Sequence, residues 1–529
     1  MTAAFCGMAI TTTPASLASS QEAIPGLPDH LVVEHIVRSE YFDDPAELAR
    51  LPTVSRGMRD AVAATGLRFE ELAEDEAVDL GCLSAVQRLQ RQGRLSRQEY
   101  LCQAAARSGN LKELKLLREK GTPWDAGTCF AAAHGGHLEV LLRARANGCP
   151  LDEWTCAGAA RGGKIEVLQW ARANGCPWDE ETCMRAAQGG HLDVLQWARA
   201  NGCPWDEEAC EFAATGGHLE VLQWAHANGC PCGEKALFTA ATNGHEAVFQ
   251  ALIEVGTDVN KAIDDGTTAL YIAAEEGHEA VLRALIEAGA DVNKARDNGV
   301  TPLFAAAEIG NEEVVRALIE LGAGINQATG IGTTPLFAAA EKGHENVVQA
   351  LIELGADVNK ATENGWTPLL IAAEKGHETV VRALIQTGAG IDKAAHEGGT
   401  PLYMAAVQGH ELVVRALMEF GADINKATDN GWTPLLMSAQ ESHETVVRAL
   451  IQAGADIDKA TDIGVTPLYM AAQNGHEMVV WALIEGGADV NKATDEGGMP
   501  LFLAAQEGHA AIVQILNDAV LVRMQHLSL

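Results

Sequence analysis

Small, apolar and polar residues recur in one order every 33 residues through the second half of the chain. Residues 362–394, TENGWTPLLIAAEKGHETVVRALIQTGAGIDKA, show this order most clearly. Thr367 can cap a helix and Pro368 fits its first position, so the pattern predicts a short helix over Leu369–Lys375. Apolar residues at helical spacing predict a second helix over His377–Gln386. One such helix pair cannot bury its apolar face alone, so we expect the copies to stack.

The first half of the chain shows the same order with a period of 27 residues. It is clearest in CPWDEETCMRAAQGGHLDVLQWARANG at Cys176–Gly202 and is nearly repeated at Cys203–Gly229. The residues missing from this shorter unit correspond to the turn around Asn364 and Gly365, where a glycine with positive φ favours a tight hairpin. The sequence therefore predicts helix pairs throughout, with short β-hairpin fingers only in the C-terminal half.

The two periods divide the chain into five segments. We expect a disordered tail over 1–26, short helices over 27–67, six 27-residue units over 68–229, a transitional unit over 230–262, and eight 33-residue units with a C-terminal cap over 263–529. Because a stacked array grows by adding neighbours, a chain of this length does not require several globular domains.

The residues that open each long unit resemble those of the ankyrin repeat, and the 27-residue units resemble its shortened form. Gly365, Thr367 and Pro368, with their copies at 33-residue steps, carry this resemblance. The resemblance implies an all-α ankyrin-repeat solenoid of stacked helix-turn-helix pairs. It also implies a non-catalytic scaffold that binds another protein through its concave face and fingers.

The segment 27–67 resembles an F-box. This resemblance implies that five of its residues contact a Skp-type adaptor of a cullin–RING (SCF-type) ubiquitin ligase, and these residues are Leu27, Pro28, Leu51, Val54 and Met58. The chain's alternative function is then that of a substrate receptor for the ligase. Met58 stands where the family usually has tryptophan. The other interpretation of the segment is a helical cap that shields the first repeat.

The chain is strongly acidic, with a formal net charge of -34. Residues 230–529 alone carry 17 Lys and Arg against 41 Asp and Glu. Such a field repels nucleic acid and anionic lipid and favours a protein partner with a basic and apolar segment. The sequence has no apolar run of about 18 residues and no basic residue before Arg38 that a targeting signal would need. We therefore expect no nucleic-acid or membrane partner, and a cytoplasmic or nuclear location.

All 12 cysteines lie at or before Cys232, most of them in two columns with 27-residue steps. Equivalent positions of stacked helices lie about 10 Å apart, which is too far for a disulfide. The columns are therefore predicted to be small buried residues in a reducing compartment. Cys230 and Cys232 have no second cysteine pair at zinc spacing, so we predict no metal site.

A histidine begins the second helix of most units, and these histidines are separated by the stacking distance instead of converging on one point. We interpret them as structural. The sequence also contains no nucleophile elbow, phosphate-binding loop or zinc-protease motif. It therefore predicts no enzyme and no cofactor.

The residue just before Thr-Pro varies within an otherwise uniform unit. In the ankyrin resemblance this position lies on the finger and faces the concave surface, where a tryptophan is a frequent hot-spot residue. A charged pair ends the first helix of the same unit. The candidate partner-binding residues are Val300, Trp366, Trp432, Val465, Glu374 and Lys375. The other interpretation is that both tryptophans pack against their neighbouring fingers.

Overall fold

The computed structural model describes residues 8–11, 68–71 and 73–527. Within these ranges lie 30 helices and one antiparallel strand pair, β1 (Met8–Thr11) and β2 (Arg68–Glu71), in which Met8 pairs with Glu71. Contacts divide the chain into two compact units, one ending at Thr257 and the other beginning at Asp258. Among the described residues, no helix combines the length and the apolarity needed to cross a bilayer.

The first unit holds fourteen helices, described from their first to their last residue. They are α1 (Glu74–Asp79), α2 (Leu83–Arg91), α3 (Glu99–Arg107), α4 (Leu111–Glu119), α5 (Ala126–Gly135), α6 (Leu138–Ala146), α7 (Glu153–Arg161), α8 (Ile165–Ala173), α9 (Glu180–Gln188), α10 (Leu192–Ala200), α11 (Glu208–Thr215), α12 (Leu219–Ala227), α13 (Glu234–Asn243) and α14 (Glu246–Glu254).

The second unit continues the alternation of a first and a second helix in each repeat. Its helices are α15 (Ala269–Glu275), α16 (Glu279–Glu287), α17 (Pro302–Ile309), α18 (Glu312–Glu320), α19 (Pro335–Lys342), α20 (Glu345–Glu353), α21 (Pro368–Lys375), α22 (Glu378–Gln386), α23 (Pro401–Gln408), α24 (Glu411–Glu419), α25 (Pro434–Gln440), α26 (Glu444–Gln452), α27 (Pro467–Gln473), α28 (Glu477–Glu485), α29 (Pro500–Gln506) and α30 (Ala510–Leu527).

The predicted helix pair is confirmed in α21 and α22. The Thr367 hydroxyl accepts a hydrogen bond from the backbone N–H of Leu370, and Pro368 occupies the first turn. Gly376 ends α21 with φ 82°, a left-handed conformation that costs glycine little. The first helices of consecutive repeats pack on one another, and the small side chains of Ala372 and Ala373 are completely buried there.

The prediction of β-hairpin fingers is wrong. In each finger the chain reverses at a glycine, and one backbone hydrogen bond closes the loop, as from Thr362 N–H to the Trp366 carbonyl at 2.9 Å. No strand forms in the fingers of the described chain, because a single residue separates the turn from the N-cap Thr367, too few for a second arm. The fingers instead bond to one another, as from Glu363 N–H to the Ile331 carbonyl at 3.2 Å.

Histidines join neighbouring repeats. His410, just before α24, donates its Nε2–H to the Glu374 carbonyl of the preceding repeat at 2.9 Å. Its ring lies against Gly376, where a β-carbon would come within 2.7 Å of the ring. The same contact recurs at 2.8–3.1 Å for His137, His191, His218, His245, His344, His377, His443, His476 and His509. The histidines are therefore links between repeats.

A second set of links runs through the loops of the long repeats. The Asn359 side chain donates to the Gly388 carbonyl at 3.0 Å and accepts from Gly390 N–H at 2.8 Å. Lys393 Nζ donates to the Asn359 carbonyl at 2.9 Å. Equivalent lysines make this carbonyl contact in other repeats, namely Lys294, Lys426, Lys459 and Lys492. These lysine charges are thus held at the loop backbone.

The short repeats use an arginine and a tryptophan where the finger is missing. The Arg172 guanidinium lies over the Trp178 ring at 4.0 Å, and Trp178 meets Trp197 edge to face at 5.9 Å. Arg199 covers Trp205 in the same way at 4.2 Å. Stacking of this kind is stabilising through the ring quadrupole. We call each such pair an Arg–Trp clip.

The cysteine columns are buried, as predicted, but they face each other. Cys149 Sγ donates to the Asp125 carbonyl at 3.1 Å. A hydrogen bond with Cys149, and then burial, raises the pKa of the Cys129 thiol. One disulfide was not anticipated: Cys210 is bonded to Cys232, with Cα atoms 5.4 Å apart. The argument from 27-residue steps compared equal positions only and missed partners in adjacent segments.

Replacing His410 by alanine removes one link between repeats. We expect a loss of about 1–2 kcal/mol, because the Glu374 carbonyl loses its partner. The measurement is the urea midpoint followed by circular dichroism. His396→Ala, in an exposed finger, is the matched control and should leave the midpoint unchanged. Equal midpoints for both variants would show that the contact contributes nothing.

Replacing Trp178 by alanine opens an Arg–Trp clip. We expect a loss of about 2 kcal/mol, less than for a fully buried tryptophan because Trp178 is half-buried. Trp178→Leu should lose less, since Leu151 occupies this position in the preceding repeat. Trp154→Ala is the control, because that side chain is 45% exposed. Thermal unfolding checks the order, and an equal shift for Trp154→Ala would contradict it.

Candidate protein-binding surface

Trp366 and Trp432 occupy the same position in two fingers separated by one intervening repeat. Each directly precedes the threonine that caps a first helix, Thr367 for α21 and Thr433 for α25. Their backbone groups close the fingers, and both side chains remain half-buried. The fold thus fixes where the two indoles begin and leaves part of each ring exposed.

The two tryptophans line one cavity of about 950 Å³. We call it the tryptophan slot and define it by six of its lining residues, Trp366, Gly399, Tyr403, Met404, Trp432 and Met437. Its mixture of aromatic rings, thioethers and a few polar groups is typical of binding clefts.

Gly399 makes the slot possible. It stands in the middle finger at the position that Trp366 and Trp432 take on either side. A β-carbon there would lie 3.4 Å from Met404 Sδ and from Tyr403 Cδ1, which is ordinary contact. A methyl group would therefore fit, whereas a large side chain would project into the space between the indoles.

The charges around the slot are negative. Glu397 and Asp429 line it and are exposed, and no lysine or arginine of the described chain forms an ion pair with either. Burial, and then the Glu397 and Glu441 carboxylates, raise the pKa of Tyr403. A cation entering the slot would meet uncompensated carboxylates and aromatic faces together.

An arginine on another finger is already engaged. Arg296 pairs with Asp265 and lies over the Tyr271 ring at 5.0 Å. Hydrogen bonds from Thr267, and then from Arg296, lower the pKa of Asp265 to about 2. The Asp265 carboxylate thus stays charged and paired with Arg296.

The remaining predicted contact residues lie outside the slot lining. Val465 is only 9% exposed, and Val300 is half-buried in its own finger. Glu374 and Lys375 form an ion pair with each other at 3.8 Å. The structure therefore brings together two of the six candidates, Trp366 and Trp432.

Sequence reasoning missed the floor of the slot. Tyr403, Met404 and Met437 follow Thr-Pro in their units, where an apolar residue reads as core. The available signal was the 33-residue step between Met404, Met437 and Met470 beside a Trp-Gly-Trp series in the fingers. The adaptor-binding candidates lie outside the described residues, and these are Leu27, Pro28, Leu51, Val54 and Met58.

Metal-ligating groups do not converge in the described part of the chain. No cluster of three or more His, Cys, Asp or Glu side chains there is placed to hold a metal ion.

Comparison with known families supports the architecture. The family model described as ankyrin repeats (3 copies) matches overlapping windows, namely 210–296, 260–329, 293–362, 321–397, 354–428, 388–461 and 453–521. No curated protein matches the chain. The matched windows run without a gap over more than half of the sequence and coincide with helix pairs linked from repeat to repeat. We conclude that the chain belongs to the ankyrin-repeat family.

Proposed function

We propose that this chain is a non-catalytic scaffold whose tryptophan slot holds a segment of a partner protein. Ankyrin repeats generally mediate protein–protein interaction. The observation that carries the proposal is that Trp366 and Trp432, both half-buried, line one cavity. A large aromatic ring that is partly exposed in a cleft is the usual centre of an interface hot spot.

Packing against the fingers accounts for only part of the tryptophan surface. Each indole is half-buried in the free chain, so a partner can bury the remainder. The frame does not require these side chains, because Thr333, Gly399 and Gly498 occupy the same position in other repeats. An indole that the frame does not need, and that lines a cleft, supports a contact role.

The charge distribution supports a partner segment that is basic as well as apolar. Finger carboxylates such as Glu397 and Asp429 are exposed, while lysines such as Lys393 are held at loop carbonyls. The exposed charge at the slot is therefore more negative than composition alone suggests. Complementary charge speeds association and selects among partners.

Trp366→Ala and Trp432→Ala should each weaken partner binding by about 2 kcal/mol, which is about 30-fold. The partner is captured with the full chain, identified, purified and titrated by calorimetry. Melting temperatures should barely change, because the rings are half-exposed. Trp481→Ala is the control, since this residue on α28 is 44% exposed and lies outside the slot lining. Lower melting temperatures with unchanged affinity would refute the proposal.

Salt should weaken the same complex. Raising sodium chloride from about 50 to about 300 mM should lower the affinity by roughly tenfold, because screening reduces attraction to the acidic fingers. The double variant Glu397→Gln with Asp429→Asn should show a shallower dependence. A salt-independent affinity in the unmodified chain would exclude a basic partner segment.

A further inference from the structure

Tryptophans stand at one position in both repeat types, directly before the cap of the first helix. In the short repeats they are Trp124 and Trp178, which precede the caps Asp125 and Asp179. Trp366 precedes its cap Thr367 in the same way. The two classes of repeat can therefore be compared residue by residue.

In the short repeats an arginine of the preceding second helix covers this tryptophan. Arg118 lies over Trp124 at 4.2 Å, and Arg172 lies over Trp178 at 4.0 Å. Trp205 is covered as well, as described above. The chain itself thus shows which group this position accepts.

In the long repeats that arginine is absent. Counting eight residues from the histidine that begins the second helix, Ile352 stands before Trp366 where Arg199 stands before Trp205. Met418 takes the same place before Trp432. No arginine within the described ranges lies over Trp366 or Trp432. The aromatic faces remain, and the cation that covers them elsewhere is missing.

We propose that the tryptophan slot receives arginine side chains from an extended segment of the partner protein, each guanidinium stacking on Trp366 or Trp432. This inference deepens the proposed function and depends on it. The partner arginine takes the place that Arg118, Arg172 and Arg199 fill within the chain.

Arginine fits the slot better than lysine does. Its planar guanidinium can stack on an indole and at the same time donate two hydrogen bonds to a carboxylate, whereas an ammonium group is a compact point charge. Glu397 and Asp429 line the slot and supply such carboxylates. Indole faces and carboxylates together select a flat cation.

The chain's own arginines do not fill the slot. Arg296 is engaged by Asp265, and Arg382 bridges Glu378 and Glu419, each at 2.9 Å. Further second-helix arginines make the same kind of ion pair, namely Arg283, Arg316, Arg415 and Arg448. A second copy of the chain is a poor occupant, since each copy has a net charge of -34. The occupant is therefore a basic segment of a different protein.

Repeat spacing sets the spacing of the arginines. Trp366 and Trp432 are two repeats apart, which is about 20 Å when helices stack at about 10 Å. An extended chain advances about 3.3 Å per residue, so two arginines six positions apart can reach both rings. Gly399 leaves the intervening space open for the peptide between them.

The experiment uses the full chain and three labelled peptides. Each peptide is a Gly/Ser sequence with two identical residues six positions apart, which are arginine, lysine or the neutral isostere citrulline. Fluorescence anisotropy gives their affinities at fixed salt. We expect the arginine peptide to bind at least about threefold more tightly than the lysine peptide and about tenfold more tightly than the citrulline peptide.

Variants of the slot show where the peptide binds. Trp366→Ala and Trp432→Ala should each abolish the preference for arginine over lysine. Gly399→Leu should weaken arginine-peptide binding by at least about fivefold by filling the slot, while Gly399→Ala, whose methyl group fits, should not. Glu397→Gln with Asp429→Asn should weaken both cationic peptides.

Three results would overturn the inference: equal affinity for the arginine and lysine peptides, a preference that survives both tryptophan variants, or no binding of the arginine peptide. These results are distinguishable from failure of the proposed function. If the captured partner still requires Trp366 and Trp432, the scaffold function stands and the slot takes an apolar group instead. If the partner does not require the tryptophans, both proposals fail.

Discussion

A hydrogen bond from a histidine ring to a carbonyl of the preceding repeat sets the register of this array. The ring of His410 reaches the Glu374 carbonyl only because Gly376 has no side chain and turns with positive φ. Repetition of this contact fixes the rise from one repeat to the next. Since the fingers follow from the same register, the alignment of Trp366, Gly399 and Trp432 around one cavity depends on it.

The two repeat types answer the loss or presence of a finger with different contacts. Where the finger is missing, the Arg172–Trp178 clip covers the exposed edge of the repeat. Where the finger is present, contacts such as that from Lys393 to the Asn359 carbonyl hold the loop, and no arginine is needed. A tryptophan at this position then loses its internal partner. A binding group thus arises from a position that is structural elsewhere in the same chain.

Local features of the sequence predicted most of the helix boundaries. The cap at Thr367 and the stop at Gly376 depend on neighbouring residues alone, so α21 begins within one residue of the expected start. The hairpin fingers failed because a strand pair needs two arms, and the distance from Gly365 to Thr367 leaves no room for one. The disulfide of Cys210 with Cys232 and the slot floor at Tyr403 depend on contacts between adjacent repeats, which one repeat read alone does not reveal.

The frame leaves its binding residues free to change. Every inter-repeat link in the long repeats described above uses a histidine, an asparagine, a lysine or a backbone group, and none uses the side chain at 366, 399 or 432. Substitution at those three positions therefore alters the slot without breaking a link. The same separation explains why tryptophan, glycine, valine and threonine all occur before Thr-Pro or its equivalent in this chain. Specificity then follows from the order of these residues along the array, because each repeat contributes one position to the surface and the register keeps those positions in line.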